Sequence, residues 1–282
     1  MAGSADDAGM EAYFSGKKLY GNDFSQEQID AWFADEADGY FNLTQSSGDE
    51  GKYAYGYHAL NRRHGFSKLP QKRFAHVLGV GSAYGEELEP ILAHSDRISI
   101  LEPSDGFKST VLNGVPVNYV KPVASGDMPF DSKSLDLITC LGVLHHIPNV
   151  SKIVNEFYRV LKPGAYALVR EPIISMGDWR KPRSGLTKRE RGIPLPVMRE
   201  FLEQAGFKVV RERKCMFSLT SRLRHVISGS VFNNAAVVAL DALLSVLPIW
   251  PKVYHARNAL QKLRPTAVYY VLQKPPLNGR DT

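Results

Sequence analysis

The chain has 282 residues, of which 44% are hydrophobic and 23% are charged, and its formal net charge is +6. This composition is that of a globular protein and excludes disorder throughout. Two cysteines far apart in the sequence form neither a disulfide framework nor a metal-ligand motif. The N-terminus shows no secretory signal pattern, and no apolar run reaches the roughly 18 residues that a membrane-spanning helix needs. The sequence therefore predicts a cytoplasmic protein.

The N-terminal quarter differs in composition from the rest of the chain. Residues 1–12 are small and polar, which predicts a disordered tail. Residues 13–70 are predicted to form a cap or lid, with a helix over about 26–37 that starts at a capping box of Ser25 and Gln28. The segment is rich in aromatic residues up to position 58, and Tyr57 and His58 are candidates for contact with a substrate.

Alternating strand and helix patterns begin at Phe74, which predicts an α/β fold with a Rossmann-like, largely parallel sheet and helices on both faces. The predicted main domain comprises residues 71–213 and 264–275, and residues 214–263 form a helical insertion before the last strand. The predicted strands are 74–80, 97–102, 115–120, 135–141, 165–171, 207–213 and 266–274. The predicted helices are 85–94, one capped by Ser104, 150–161 and 196–205.

A glycine turn follows the first predicted strand. Its sequence, VGSAYG at 80–85, lets backbone approach a ligand closely, and the helix start behind it presents free N–H groups. Glu102 ends the second strand, where an acid can accept both hydroxyls of a ribose. The GxGxxxG spacing disfavours a dinucleotide-dependent dehydrogenase. Taken alone, the turn is equally compatible with simple packing of a helix on a sheet.

Four ordered motifs resemble the class I S-adenosylmethionine-dependent methyltransferases. VLGVGSAYG at 77–85 is similar to the glycine loop of that family, and LEPS at 101–104 is similar to its acidic second strand end. SGDMPFDSKSLDLITCLGVLHHIPN at 125–149 resembles the family's fourth strand with its flanking loops. NEFYRVLKPGAYALVREP at 155–172 resembles its next helix and strand.

The resemblance implies a seven-stranded sheet whose last strand is antiparallel, with S-adenosylmethionine as cofactor, S-adenosylhomocysteine as product and no metal. Two departures are Gly79, where the family usually has an acid, and Ala83, where it has a glycine. The cofactor-binding residues that the resemblance implies are Gly79, Gly81, Ser82, Ala83, Gly85, Glu102, Pro103, Ser104, Asp127, Met128, Leu141 and Gly142.

Methyl transfer to a hydroxyl needs a base that takes the hydroxyl proton. His145 and His146 follow the fourth strand, and Glu171 ends the fifth, so all three fall at the carboxyl edge of the predicted sheet. This arrangement resembles that of small-molecule and sugar O-methyltransferases. We therefore expect one histidine to be the base and Glu171 to be its acidic partner or a second base, although such a turn also begins a helix for structural reasons alone.

The loop after the fifth strand is basic. Arginines of this kind can bind phosphate, and Trp179 and Arg180 are candidate substrate contacts; the basic residues are Arg170, Arg180, Lys181, Arg183, Lys188, Arg189 and Arg191. The predicted acceptor is a hydroxyl of a sugar, nucleotide sugar or surface-glycan precursor, with a phosphorylated form open. The alternatives are an aromatic, quinone or lipid acceptor, or a non-catalytic nucleotide-binding interaction module.

The insertion contains a strongly apolar stretch at 235–251. It is too short to cross a bilayer, so it is predicted to pack on the core, on a second copy in a homodimer, or on a membrane surface from one side. No nucleic-acid-binding module is recognised, and the modest charge does not favour nucleic acid as a partner.

Overall fold

The computed structural model describes residues 5–45, 55–107, 109–181, 183, 187 and 189–277. Lys188 and residues 46–54 of the aromatic segment lie outside the described residues. Eight strands form one sheet in the order β3-β4-β2-β1-β5-β6-β8-β7. The strands are β1 (Val77–Val80), β2 (Ile98–Leu101), β3 (Val111–Leu112), β4 (Val115–Val120), β5 (Leu135–Leu141), β6 (Leu161–Pro172), β7 (Lys208–Phe217) and β8 (Pro265–Gln273).

The central strands pair in parallel, and β8 runs antiparallel between β6 and β7. This confirms the predicted Rossmann-like α/β fold with an antiparallel last strand. The sheet has one more strand than predicted, because β3 forms a short antiparallel hairpin with β4. Asn113 and Gly114 make its turn with positive φ values of 47° and 86°, the conformation that an Asn-Gly pair favours.

The helices lie on both faces of the sheet and in the segments before and after its parallel part. They are α1 (Ala5–Phe14), α2 (Gln26–Gln45), α3 (His58–His64), α4 (Val150–Val160), α5 (Leu195–Gln204), α6 (Ser218–Arg222) and α7 (Ala235–Ser245). Shorter 3₁₀ turns cover Phe66–Lys68, Glu86–His94, Leu144–His146, Leu223–His225, Val231–Asn233 and Leu260–Lys262. Among the described residues, no helix is long and apolar enough to cross a membrane.

Three elements differ from the sequence prediction. Residues Glu86–His94 form 3₁₀ turns rather than an α-helix, since Pro90 has no N–H to continue an α-helical ladder. The helix predicted after Ser104 is not found among the described residues between β2 and β3. Helix α1 covers most of the tail predicted to be disordered, because Met10 and Phe14 contact an aromatic cluster around Trp179.

Two layers of apolar side chains cover the two faces of the sheet. One contains α4 and α5, with Phe157 and Leu202 buried against the strands. The other contains the 3₁₀ turns after β1, helix α3 and the insertion, with Leu88 and Val238 buried. The carboxyl ends of the parallel strands remain between these layers and the N-terminal segment.

Helix α7 is held to the sheet by a buried carboxylate. Asp241 is fully buried, and its Oδ atoms accept hydrogen bonds from the backbone N–H groups of Met216 (2.9 Å) and Phe217 (2.6 Å) and from the Thr220 hydroxyl (2.5 Å). Burial raises the pKa of Asp241, and these bonds oppose that rise. The Asp241 carboxylate on α7 therefore accepts the backbone hydrogen bonds at the end of β7 and joins the helix to the sheet.

We expect Asp241→Ala to lower the free energy of unfolding by about 2–4 kcal/mol, because two backbone N–H groups and a hydroxyl lose their acceptor in the interior. Leu240→Ala, at the exposed neighbouring position, should change it by no more than about 0.5 kcal/mol. Urea denaturation of both variants measures the difference, and equal stabilities would contradict this account of how α7 is anchored.

Candidate active site

Two neighbouring cavities lie at the carboxyl edge of the parallel strands. The first, of about 140 Å³, is bounded by the ends of β1 and β2, by residues 122–128 and by the turn after β5. The second, of about 420 Å³, is bounded by the ends of β5 and β6 and by residues from the N-terminal segment and the insertion. Gly81 and Gly142 line both cavities, so the two spaces meet between the ends of β1 and β5.

The glycine turn after β1 leaves no room for side chains at its two bends. Gly81 has φ +61°, and an added Cβ would lie 2.7 Å from the Val143 side chain. Gly85 has φ +79°, and an added Cβ would lie 2.4 Å from Leu112. Both conformations favour glycine. The turn is thus fitted closely to the neighbouring strand ends, and its first glycine faces the cavities.

Glu102 connects the glycine turn to the end of β2. Its carboxylate is buried, and it accepts the backbone N–H of Ala83 (3.2 Å) and of Ser104 (3.1 Å). Burial raises the pKa of Glu102, and the two backbone bonds lower it in part. With Pro103 it lines the first cavity, which fits the expectation that it binds ribose hydroxyls.

The loop before β5 forms the opposite wall of the first cavity. Met128 is buried there, and its backbone N–H donates to Glu156. Asp127 is exposed; hydrogen bonds from Lys152 and from the Ser125 hydroxyl lower its pKa. Both predicted residues line the cavity, but the Asp127 carboxylate is engaged by Lys152 at 2.7 Å.

A buried glutamate lies beside the position of the missing acid. Gly79 is inside β1, and an added Cβ would lie 2.3 Å from the Ser82 hydroxyl oxygen. That hydroxyl donates to Glu87 Oε1 (2.7 Å), as does the Thr139 hydroxyl (2.8 Å). Burial raises the pKa of Glu87 to about 6, against the effect of both hydrogen bonds. Glu87 lines the second cavity, so the segment after β1 supplies a carboxylate close to Gly79 although β1 itself has none there.

The turn after β5 is fixed by the carboxylate of Glu171 at the end of β6. Glu171 Oε1 accepts the backbone N–H groups of Val143 (2.9 Å) and Leu144 (2.8 Å). Its Oε2 accepts from the backbone (3.3 Å) and the ring Nδ1 (2.8 Å) of His145. The Glu171 side chain is fully buried, and the four donors satisfy it.

Arg191 holds the same turn from its carbonyl side. The guanidinium donates to the carbonyl oxygens of His145 (2.8 Å), Leu144 (3.2 Å) and Ile147 (2.9 Å), and also to that of Tyr20. Burial lowers the pKa of Arg191 to about 10. This arginine, one of the predicted basic loop, therefore stabilises the turn.

His145 lies in the second cavity with one ring nitrogen fixed. Because the Glu171 carboxylate only accepts hydrogen bonds, His145 Nδ1 carries the proton and Nε2 has a free lone pair. Nε2 lies 3.7 Å from Glu190 Oε1. Burial, and then the neighbouring His146, lower the pKa of His145 despite the opposing effect of Glu171. The neutral imidazole thus persists at neutral pH and can accept a proton at Nε2.

His146 faces the first cavity and contacts the N-terminal segment. Its Nδ1 lies 3.0 Å from Glu36 and 3.2 Å from the Thr187 hydroxyl. Burial raises the pKa of Glu36, but hydrogen bonds with His146 and Thr187 outweigh burial and hold it below its usual value. Trp32 is buried, as predicted, and its ring N–H donates to the His146 carbonyl oxygen (2.7 Å). Helix α2 therefore closes this side of the site.

His145, His146 and Glu190 each offer a ligand atom, and these atoms lie within 4.8 Å of one another. The three could hold a cation, with Glu171 and Glu36 supporting the histidine rings.

Of the predicted substrate-binding residues Tyr57, His58, Trp179 and Arg180, only Tyr57 lines a cavity. Tyr57 lines the second cavity, and its ring lies 4.1 Å from the guanidinium of Arg170. His58 is not among the lining residues, and its ring lies 3.7 Å from Glu89 on the outer surface. Trp179 is buried against Phe14 and lines neither cavity.

Of the basic residues predicted for this loop, Arg170 lines the second cavity, whereas the other described arginines line neither cavity. Arg180 pairs with Asp178 at 2.9 Å and lies outside both linings. Arg183 donates to the Met176 carbonyl oxygen, and Arg189 pairs with Asp35 on α2. Arg180 and Arg183 thus bind within the loop and Arg189 binds α2, so these three side chains do not form the expected phosphate site.

Most predicted site residues meet at the two cavities. Those that line one or both are Tyr57, Gly81, Ser82, Glu102, Pro103, Asp127, Met128, Leu141, Gly142, His145, His146 and Glu171. Four predicted residues line neither cavity: Gly79 lies in β1, and Ala83, Gly85 and Ser104 lie in the turns after β1 and β2. The sequence did not predict Tyr55, Glu87, Arg170, Glu190 and Met216 as lining residues. Tyr55 lies in the aromatic segment, and Glu87 follows the glycine turn closely, so these two had a signal in the sequence.

Comparison with known proteins agrees with this geometry. A family model described as "Methyltransferase domain" matches residues 78–169, which include most of β1, Glu102, the turn after β5 and most of β6. The chain is 33% identical over 66 residues to a ubiquinone biosynthesis O-methyltransferase of Shewanella pealeana, covering 23% of this chain and 28% of that protein. It is 26% identical over 160 residues to 24-methylenesterol C-methyltransferase 3 of Arabidopsis thaliana, covering 49% and 43%. The chain thus spans less than half the length of either relative.

Solved structures share the fold at low identity. An S-adenosylmethionine-dependent methyltransferase of Leishmania major matches with a TM-score of 0.53 and 13% identity, covering 86% of this chain and 83% of that chain. The [4+2]-cyclase SpnF matches with a TM-score of 0.51 and 15% identity, covering 85% and 94%. Residues 78–169 thus match a methyltransferase domain, and the chain shares the fold of these solved structures.

Proposed function

We propose that the protein transfers a methyl group from S-adenosylmethionine to a hydroxyl oxygen of an acceptor bound in the second cavity. The observation that carries this proposal is His145, whose Nε2 lone pair faces the cavity while Glu171 fixes its Nδ1. The two cavities share Gly81 and Gly142, so a cofactor in the first can direct its reactive end into the second.

The first cavity suits the adenosyl part of the cofactor. Glu102 would accept the ribose hydroxyls, and Met128 would contact the adenine. Glu87 would bind the methionine ammonium in place of the acid missing at Gly79, because its buried carboxylate lies at the boundary of the second cavity. A carboxylate there complements the positive charge of the ligand.

S-adenosylmethionine supplies an electrophilic sulfonium methyl group. The acceptor hydroxyl would donate its proton to His145 Nε2 as the oxygen attacks, and the Glu171 carboxylate would stabilise the imidazolium that forms. A positioned base of this kind contributes about 10² to 10⁴ in rate. His146 has its Nδ1 at Glu36 and lines the other cavity, so His145 is the stronger candidate.

We further propose that the acceptor is a hydroxylated aromatic ring rather than the sugar expected from the sequence. Since Arg180, Arg183 and Arg189 bind elsewhere, the reason for expecting a phosphorylated sugar is lost. Tyr55, Tyr57 and Met216 supply the aromatic and apolar part of the second cavity, which charged side chains also line. Relatives named for ubiquinone biosynthesis and sterol methylation support this class, and the histidine base favours oxygen over carbon as the methyl acceptor.

A transfer assay with labelled S-adenosylmethionine tests the acceptor class. We expect product from catechols and prenylated phenols, and little from nucleotide sugars or from sterols that offer a carbon acceptor. Product from nucleotide sugars alone would contradict the ring proposal, and product from sterols alone would contradict oxygen as the acceptor.

Replacing the base should slow turnover without loosening the cofactor. We expect His145→Ala to reduce kcat by about 10² to 10⁴, because the acceptor hydroxyl then lacks a positioned base. The Kd for S-adenosylmethionine, measured by calorimetry, should change less than about threefold. His58→Ala is the matched control, since that ring lies outside both cavities; equal effects in the two variants would overturn the assignment.

Cofactor affinity should depend on pH through Glu87. Its pKa of about 6 means that the carboxylate is ionised at pH 8 and protonated at pH 5, so affinity for the cationic ligand should fall as pH drops through 6. Glu87→Gln should bind roughly tenfold more weakly at pH 8, with a flatter profile. Glu89→Gln, exposed on the same 3₁₀ segment, should retain the profile of the original protein.

The same pKa predicts the opposite effect on folding. A carboxyl whose pKa is raised in the folded state gives stability that is present below its ordinary pKa and lost as pH rises through the folded value. Without cofactor at pH 8, Glu87→Gln should therefore be more stable than the original protein by about 1–2 kcal/mol. Weaker binding combined with lower stability would indicate a purely structural role.

A further inference from the structure

Helix α7 buries its polar side chains and exposes apolar ones. Its polar side chains Asp241 and Ser245 are buried, whereas every exposed residue of the helix is apolar: Ala235, Ala236, Ala239, Leu240 and Leu243. The exposed apolar surface continues past the helix through Val246, Leu247 and Ile249, of which Ile249 is 71% exposed. We call residues 235–249 the apolar ridge. Contiguous surface of this kind marks an interaction site.

Basic residues flank the apolar ridge in the sequence and form what we call its basic rim; Arg222 lies on α6, which packs against α7. Residues 218–264 contain six Lys and Arg, and Asp241, their single acidic residue, is buried. Arg222, Lys252, Arg257 and Lys262 are exposed. Two copies joined through this face would bring two basic rims together, which like-charge repulsion disfavours. An anionic surface would instead be attracted by the rim while the ridge loses contact with water.

The insertion also builds part of the second cavity. Asp241 binds the backbone of Met216, which lines that cavity. Asn233 donates to the carbonyl oxygen of Tyr55 and accepts the backbone N–H of His58. The Phe232 ring stacks on Tyr57 at 5.8 Å. The elements that carry the apolar ridge therefore hold the cavity wall that we assign to the acceptor.

We propose that the apolar ridge and its basic rim bind the surface of an anionic lipid bilayer, with α7 lying in the plane of the interface. An in-plane helix with an apolar face and basic flanks binds by apolar burial together with attraction to anionic headgroups. The consequence for catalysis, delivery of a lipid-soluble acceptor to the second cavity, rests on the proposed function. Lipid binding itself does not, and it is measured without cofactor or acceptor.

Co-sedimentation of the full chain with vesicles tests the proposal. We expect binding to phosphatidylglycerol–phosphatidylcholine vesicles that weakens with added salt, and little binding to phosphatidylcholine alone. Leu240→Glu combined with Leu243→Glu should reduce vesicle affinity by roughly tenfold or more, because both exposed side chains would otherwise enter the interface. Lys252→Ala should reduce it by roughly fivefold.

The matched control is Val111→Glu, which adds a charge at an exposed apolar position on β3, at the far end of the sheet. It should leave vesicle affinity within about twofold of the original. Absence of binding to anionic vesicles overturns the proposal, as does an equal loss in the control. Light scattering that shows a dimer, converted to monomer by the two Leu→Glu changes and without vesicle binding, would assign the ridge to a second copy.

Discussion

The site depends on one turn held between two buried ions of opposite charge. Glu171 accepts hydrogen bonds from the backbone N–H groups at the start of the turn, and Arg191 donates hydrogen bonds to the carbonyl oxygens at its end. Buried charges are costly unless hydrogen bonds satisfy them, and here backbone dipoles and the His145 ring do so. The turn is therefore rigid where both cavities meet, and His145 has one orientation and one tautomer.

Glu87 brings to the second cavity a carboxylate that the family usually places at the position of Gly79 on β1. A side chain at Gly79 would collide with Ser82, whose hydroxyl instead orients Glu87. The carboxylate is deeply buried, so its pKa rises to about 6, and it favours a cationic partner that keeps it ionised. The absence of an acid on β1 is thus compatible with recognition of a positively charged cofactor.

Cofactor and acceptor are assigned to different parts of the chain. The first cavity is built mainly from strand ends and their turns, within the region that matches the methyltransferase model. The second also takes Tyr55 and Tyr57 from the N-terminal segment and Met216 from the end of β7. The basic loop, which suggested phosphate binding, instead fastens α2 and the turn after β5. Under the proposed function, acceptor preference would therefore depend on residues outside the region that matches the methyltransferase model.

The sequence by itself determined the parallel strands, the glycine turn, Glu102 and the position of both histidines and Glu171 at one edge of the sheet. Each of these follows from local patterns, since apolar runs define strands and parallel strands end at one edge. The tertiary structure alone decided the partners of Arg189 and Arg191, because their contacts join residues about 150 to 170 positions apart. It also decided that α1 is a helix and that α7 buries its polar face. Both outcomes depend on which surface of the protein a segment packs against, and the local hydrophobic periodicity of the sequence does not determine that surface.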